Sequence, residues 1–314
     1  MTYSYASILK DARKAQWDLD VLTAELHELD FGRPFLPDEL VHVNALSFLG
    51  EGERIRANQI RANSYLQMFA LVERFILPFV MVNASSAMRR STEELLALMA
   101  FGEEEAKHIA LFERFSDAFE VGFGSLCEVV GPGDEIAGVV LAEEPLAVAV
   151  CVLHIEWMTQ DHYLRSVRGR RSAAASIDPR FEELLRAHWA EEAQHAKIDC
   201  LLLERMAARA SEAERHRAKQ TYVKLMDKMA EVFRQQVELD IEAYERAVGR
   251  LEDAERDRWR ATQVPAYHEA FLRTGVVHRR FRETVGRTLG DAPGLFDDAA
   301  RRWAGPVPRE RCQG

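Results

Sequence analysis

The chain has 314 residues, 47% of them hydrophobic, and a formal net charge of −10 with a pI near 5.6. That length supports one large buried core or two ordinary ones and does not force two domains, and the acidic balance argues against a nucleic-acid surface or a basic face on anionic membrane. Cys127, Cys151, Cys200 and Cys312 lie too far apart for a zinc knuckle or a disulfide framework, residues 1–20 carry charge throughout, and no apolar run nears the roughly 18 residues of a membrane span, so a cytoplasmic chain is expected.

Helical periodicity runs along nearly the whole chain and alternating strand patterns are scarce, so an all-α fold is expected. Residues 4–28 read as an amphipathic helix, ended by the prolines and glycine of "FGRPFLPDEL". A long helix follows over about 52–84, with Pro78 as a point of bending. Ser91 and Glu94 form a capping-box pattern that opens a helix running to the glycine near 122. The stretch "SLCEVVGPGDEIAGVV" is irregular, with room for a short helix, and a further helix follows Pro145. The basic, small-residue segment "RGRRSAAASIDP" links it to a helix over about 180–208, and two more helical patterns fill 211–249 and about 252–288. Residues 1–290 are thereby read as one helical domain, a bundle over about 50–208 with flanking helices at 4–28 and 211–288, and residues 291–314 as a partly ordered tail.

Several acids stand where acids are unexpected. Glu73 interrupts the apolar run "LQMFALVERFILPFV" and Glu156 interrupts "PLAVAVCVLHIEWM". Burying a lone carboxylate costs on the order of several kcal/mol unless something positive meets it. Arg74, a basic residue of a neighbouring helix, or a metal ion would each serve. Two other helices carry Glu-x-x-His: Glu105 with His108 in "EEEAKH", and Glu192 with His195 in "EEAQH". A spacing of three or four puts both side chains on one helix face, which Glu104 and Glu191 satisfy equally well. In "HWAEEAQHAKID", His188, Glu192 and His195 share one stripe, which suits a solvated surface as well as a metal.

The order Glu, Glu-x-x-His, Glu, Glu-x-x-His is that of a dinuclear carboxylate site in a four-helix bundle. Glu105 follows Glu73 by 32 residues and Glu192 follows Glu156 by 36, about the length of chain a helical hairpin needs to return to the same height. Glu156 follows Glu105 by 51 positions, which leaves room for a crossover between two hairpins.

On these residues the chain resembles the ferritin-like dinuclear iron carboxylate superfamily over roughly 50–205. The resemblance implies a ferritin-like four-helix bundle with additional N- and C-terminal helices. It also implies two iron ions, with a manganese–iron pair as the variant, held by Glu73, Glu105, His108, Glu156, Glu192 and His195, with Glu105 and Glu192 bridging. The chain lacks the CxxC module of rubrerythrins, and Phe112 stands where the small subunit of ribonucleotide reductase carries its tyrosine. His188, four residues before Glu192, completes a His-x3-Glu-x2-His pattern. In this it resembles the para-aminobenzoate (arylamine) N-oxygenase family, whose seventh ligand is a histidine at that place.

That resemblance implies an oxidoreductase that activates dioxygen to oxidise a small apolar or aromatic molecule, with an amine nitrogen as the preferred target. C–H hydroxylation or desaturation on the same site is the alternative among enzymes, and a ferroxidase or plain metal protein is the alternative outside them. The chain has no dinucleotide or Walker loop, so a separate reductase is an expected partner; a homodimer is a further expectation, and nucleic acid and membrane are not. Phe69 and Leu77 beside Glu73, Phe101, Ile109 and Phe112 beside Glu105, and Val152 and Leu153 beside Glu156 either line a substrate pocket or fill the bundle core. Tyr163 and Asp199 are candidate supports for the ligands. His154 and His162 lie off the stripe of Glu156 and are read as core or surface residues.

Overall fold

The computed structural model describes residues 3–165 and 177–304, so most of the "RGRRSAAASIDP" link and the end of the tail lie outside the described residues. The expected helix over 4–28 is broken into α1 (Tyr5–Ala15), α2 (Leu19–Thr23) and a 3-10 turn at Leu26–Glu28. Asp18 causes the break: its carboxylate accepts the backbone N–H of Val21 at 2.9 Å and starts a new helix. After the short α3 (Asp38–Val41), α4 runs from Glu51 to Ala87. Pro78 lies on its exposed side, where water can replace the donor that proline lacks. Ser91 accepts from Glu94 N–H and opens α5 (Thr92–Phe123), which ends where Gly124 takes φ +71°.

The irregular stretch holds α6 (Gly133–Leu141), and α7 (Pro145–Tyr163) follows. Asp178 caps α8 (Pro179–Ala207) by accepting from Arg180 and Phe181 N–H, and a Ser211–Glu214 capping box opens α9 (Glu212–Ala247). The pattern over 252–288 is not one helix. It comprises α10 (Asp253–His268), a π turn (Glu269–Arg273), α11 (Thr274–Val277) and α12 (Arg279–Leu289), interrupted at the extended residue His278. α13 (Pro293–Trp303) occupies the first part of the tail and buries Phe296 and Trp303. No strand occurs among the described residues.

Two antiparallel hairpins, α4 with α5 and α7 with α8, meet through α5 and α8 and form the four-helix bundle. α9 packs against both α4 and α7, and α1 closes the other side against α5 and α8. Every residue of α7 from Leu146 to His162 is buried, as expected of a helix that is apolar all round. Among the described residues α4 alone is long and apolar enough to cross a membrane, yet it is mostly buried in the protein and carries Arg61 and Glu73 at 0% and 1% exposure.

His154 and His162 belong to the core. His154 Nε2 donates to the Phe271 carbonyl at 3.0 Å and its Nδ1 meets the Tyr222 hydroxyl at 2.7 Å. His162 bonds the Ala270 carbonyl at 2.7 Å and the Tyr65 hydroxyl at 2.9 Å. Both imidazoles are pushed down to about 4 by burial and stay neutral, which lets each nitrogen pair tie α7 to the π turn.

Candidate metal centre

The acids of the sequence pattern converge in the middle of the bundle. α4 supplies Glu73, α5 Glu105 and His108, α7 Glu156, and α8 His188, Glu192 and His195, each at most 4% exposed. Their donor atoms form two overlapping groups, Glu73, His108, His188 and Glu192 on one side and Glu105, His108, Glu192 and His195 on the other, with the atoms of each group within 4.8 Å of one another. Glu192 and His108 belong to both. Glu156 lies against Glu192, and burial, then the Glu192 charge, raises its carboxyl well above the ordinary value.

His195 Nδ1 lies at hydrogen-bond distance from Glu192 Oε2, 3.0 Å, but most of the other converging atoms have no such partner. His188 Nε2 stands 2.6 Å from Glu192 Oε1 and His108 Nδ1 stands 3.2 Å from the same oxygen, yet both nitrogens lack a hydrogen-bond partner. Glu73 Oε2, both oxygens of Glu105 and Glu156 Oε2 are likewise buried and unpartnered. Native proteins rarely leave buried polar atoms orphaned, and a shared positive ligand would satisfy all of these at once. Lone pairs converging from imidazole nitrogen and carboxylate oxygen fit divalent iron or manganese. Two iron ions suit the donor set, and a manganese–iron pair suits it as well.

The nitrogens that face away from the centre are fixed by acids of the opposite hairpin. His195 Nε2 donates to Glu104 of α5 at 2.8 Å, and His108 Nε2 donates to Glu191 of α8 at 3.0 Å. Lys107 also bonds Glu191 and stands 4.1 Å above the ring of Trp17, which stacks on His108 at 6.1 Å. Each histidine of a Glu-x-x-His therefore turns Nδ1 inward and donates from Nε2, an arrangement that sets both ring orientation and basicity. Burial alone would lower His108, and the bond with Glu191 together with the nearby Glu192 and Glu105 carboxylates lifts it instead to about 9. Against the same burial, Glu192, Glu104 and Glu105 hold His195 well above its ordinary value. His188, which burial dominates, is lowered and keeps a neutral imidazole.

Helix periodicity puts Glu104 and Glu191 among the candidate inward-facing acids, and the structure turns both outward onto the other helix's histidine. Asp199 does not support His195, whose nitrogens face Glu104, Glu105 and Glu192; it is buried with both oxygens unpartnered. Tyr163 stacks on Trp189 at 4.5 Å. Phe69 and Phe112 meet the His188 ring edge-on at 5.3 and 5.2 Å, and Phe101 stacks on His195 at 4.0 Å, so these three wall the centre. Val152 and Leu153 are fully buried core, whereas Leu77 and Ile109 are half-buried. Trp17 and Lys107 carry no signal of this role in the sequence. Trp17 lies outside the bundle in sequence, and nothing in its local pattern announces His108.

A four-helix bundle that gathers two overlapping carboxylate and imidazole clusters defines a ferritin-like dinuclear metal protein. The sequence pattern of p-aminobenzoate N-oxygenase AurF matches residues 15–286. The chain belongs to that family, and with it is an oxidoreductase, a dinuclear metal oxygenase that uses dioxygen and a small substrate. No curated protein sequence matches the chain. Among solved structures, a point mutant of an R2-like ligand-binding oxidase with aerobically reconstituted Mn/Fe cofactor is 15% identical, with a TM-score of 0.44 over 85% of this chain and 92% of that one. An R2-like ligand-binding oxidase with aerobically reconstituted metal cofactor after photoconversion is 14% identical, with a TM-score of 0.43 over 96% of this chain and 93% of that one.

Proposed function

We propose that this chain is an N-oxygenase that oxidises the nitrogen of a small aromatic amine. Its metal ligands are Glu73, Glu105, His108, Glu156, Glu192 and His195, with His188 as a seventh. The observation that carries the proposal is the position of His188, whose Nε2 lies 2.6 Å from Glu192 and 3.8 Å from Glu73 within the first donor group. A seventh ligand of this kind is what the resemblance to the N-oxygenase family implies, and the chain matches that family over residues 15–286.

The approach to His188 also supports an aromatic substrate. A narrow slit lined by Tyr65, Tyr163, Leu185, His188 and Trp189 shares its Tyr163–Trp189 stack with an outer groove of about 690 Å³. Aromatic walls favour a flat ring that offers its edge or face. A metal pair held by these seven residues would, when bound, supply electrons to dioxygen. The chain holds the ligands through Glu104 and Glu191, excludes water with Phe69, Phe101 and Phe112, and admits the amine beside His188. An amine, dioxygen, two electrons and two protons give a hydroxylamine and water, and the electrons come from a separate flavin or iron–sulfur reductase.

The protein is loaded with iron(II) without air, mixed with dioxygen in a stopped-flow instrument and offered aromatic amines, aliphatic amines and fatty acids in turn. Aromatic amines are expected to accelerate the reaction and to leave hydroxylamine, nitroso or nitro products. Turnover of fatty acids alone would assign the site to C–H oxidation, and mineralised iron without product would leave a ferroxidase. His188→Ala is expected to keep its helical circular dichroism while its iron spectrum changes and its reaction with dioxygen slows by about tenfold or more. An unchanged spectrum and rate would remove His188 from the ligand set.

A further inference from the structure

Behind the centre, α4, α7, α9 and the π turn enclose a small apolar cavity of about 30 Å³. Four methionines, Met68, Met158, Met226 and Met229, line it together with Phe69 and Ile155, and no lining side chain is charged. Phe69 belongs to both spaces, since its ring walls the cavity and meets His188 edge-on at 5.3 Å. Val72 and Ile155, also in the wall, are the chain neighbours of Glu73 and Glu156.

Size and polarity decide what such a space can hold. A water needs only about 10–15 Å³ but also two to four polar partners, which these walls do not offer; apolar cavities stay dry. An aromatic ring needs far more room, since benzene fills a cavity of about 150 Å³. A small apolar molecule is left, and it gains by leaving water. Thioether side chains are flexible and polarisable, so four of them let the space adapt to a mobile guest without an empty rigid void.

We propose that this cavity is a binding site for dioxygen, held next to the metal centre on the far side of Phe69 and delivered from there. The inference rests on the oxygenase reading and adds to it a dry store that is separate from the aromatic approach at His188. The gas enters as a neutral molecule, so no proton or electron moves until it leaves the cavity.

Xenon, which shares the size and polarity preference of dioxygen, is the probe. Protein loaded with diamagnetic zinc and labelled at methionine methyl carbons is titrated with xenon while its nuclear magnetic resonance spectrum is recorded. Met68, Met158, Met226 and Met229 are expected to shift saturably, whereas Met88, 70% exposed, follows bulk xenon only. Met229→Phe, which fills the space, is expected to abolish the saturable shift of the other three methyls. In the iron(II)-loaded protein it should also slow the reaction about threefold or more at low dioxygen, with the saturated rate unchanged. Met229→Leu keeps both properties, and Val140→Leu, in the part of the wall that α6 supplies, fills the cavity should the phenylalanine fail to fold. Silent methyls overturn the proposal, and so does a filled cavity that leaves the dioxygen dependence untouched. If wild-type protein reacts normally with dioxygen while its methyls stay silent, only the cavity assignment falls; if it does not react at all, the oxygenase reading falls with it.

Discussion

Glu192→Ala is expected to take up less than about one metal ion per chain, against about two expected for the native protein. The reason is geometric. Oε1 of Glu192 faces His188 and His108 at 2.6 and 3.2 Å, Oε2 faces His195 at 3.0 Å, and the residue belongs to both donor groups. Removing it leaves no carboxylate common to the two groups. Glu105 belongs to only one of the two groups, so Glu105→Ala is expected to retain more metal than Glu192→Ala. Elemental analysis after anaerobic iron(II) loading reads both variants, and Glu192→Gln, which keeps the volume, separates lost ligation from lost packing. Two ions bound per Glu192→Ala chain would refute the shared-ligand assignment.

Asp240→Ala is expected to cost about 3–5 kcal/mol of stability, the usual consequence of leaving a buried charge alone. Asp240 accepts from the Ser64 and Tyr267 hydroxyls at 2.6 and 2.7 Å and from Gln236 at 2.9 Å, and lies 4.0 Å from Arg61. Arg61 is fully buried, its guanidinium lies 3.3 Å above the Tyr267 ring, and neither terminal nitrogen has a hydrogen-bond partner. Without Asp240 the cation keeps only that ring and the 2.9 Å bond to Gln263, and the Tyr267 hydroxyl loses its acceptor, while Ser64 and Gln236 fall back on the Ile60 and Glu128 carbonyls. The double variant Arg61→Met with Asp240→Asn removes both charges and should recover much of the loss. Urea unfolding checks this: a single-variant cost below about 1 kcal/mol, or a double variant no better than the single, contradicts the paired-charge account.

The helix order, the two hairpins and the convergence of the seven acids and imidazoles were legible because a period near 3.6 residues ties spacing to face. An acid inside an apolar run, such as Glu73 or Glu156, goes into the core with the run and must meet a cation there. What was not legible depends on how helices rotate against one another. Glu104 and Glu105 are equally good partners of His108 by spacing, and only the packing of α5 on α8 turns Glu104 toward His195. Asp199 occupies the right stripe for supporting His195 but not the right distance. The break at Asp18 escaped the periodicity because one side chain accepting one backbone N–H outweighs a weak amphipathic pattern. Trp17 reaches His108 only through the docking of the N-terminal segment, a contact between residues 91 positions apart.

The crossed bonds, Glu104 to His195 and Glu191 to His108, make the centre a property of the docked hairpins and of neither alone. A hairpin formed by α4 and α5 has His108 without the acid that orients it, and one formed by α7 and α8 leaves His195 in the same condition. During synthesis the first hairpin emerges long before the second and offers iron only Glu73, Glu105 and a loosely held His108. On the ligand set proposed above, capture of the metal pair is expected to wait for completion of the fold, so that a half-made chain would not hold a redox-active ion exposed to oxygen.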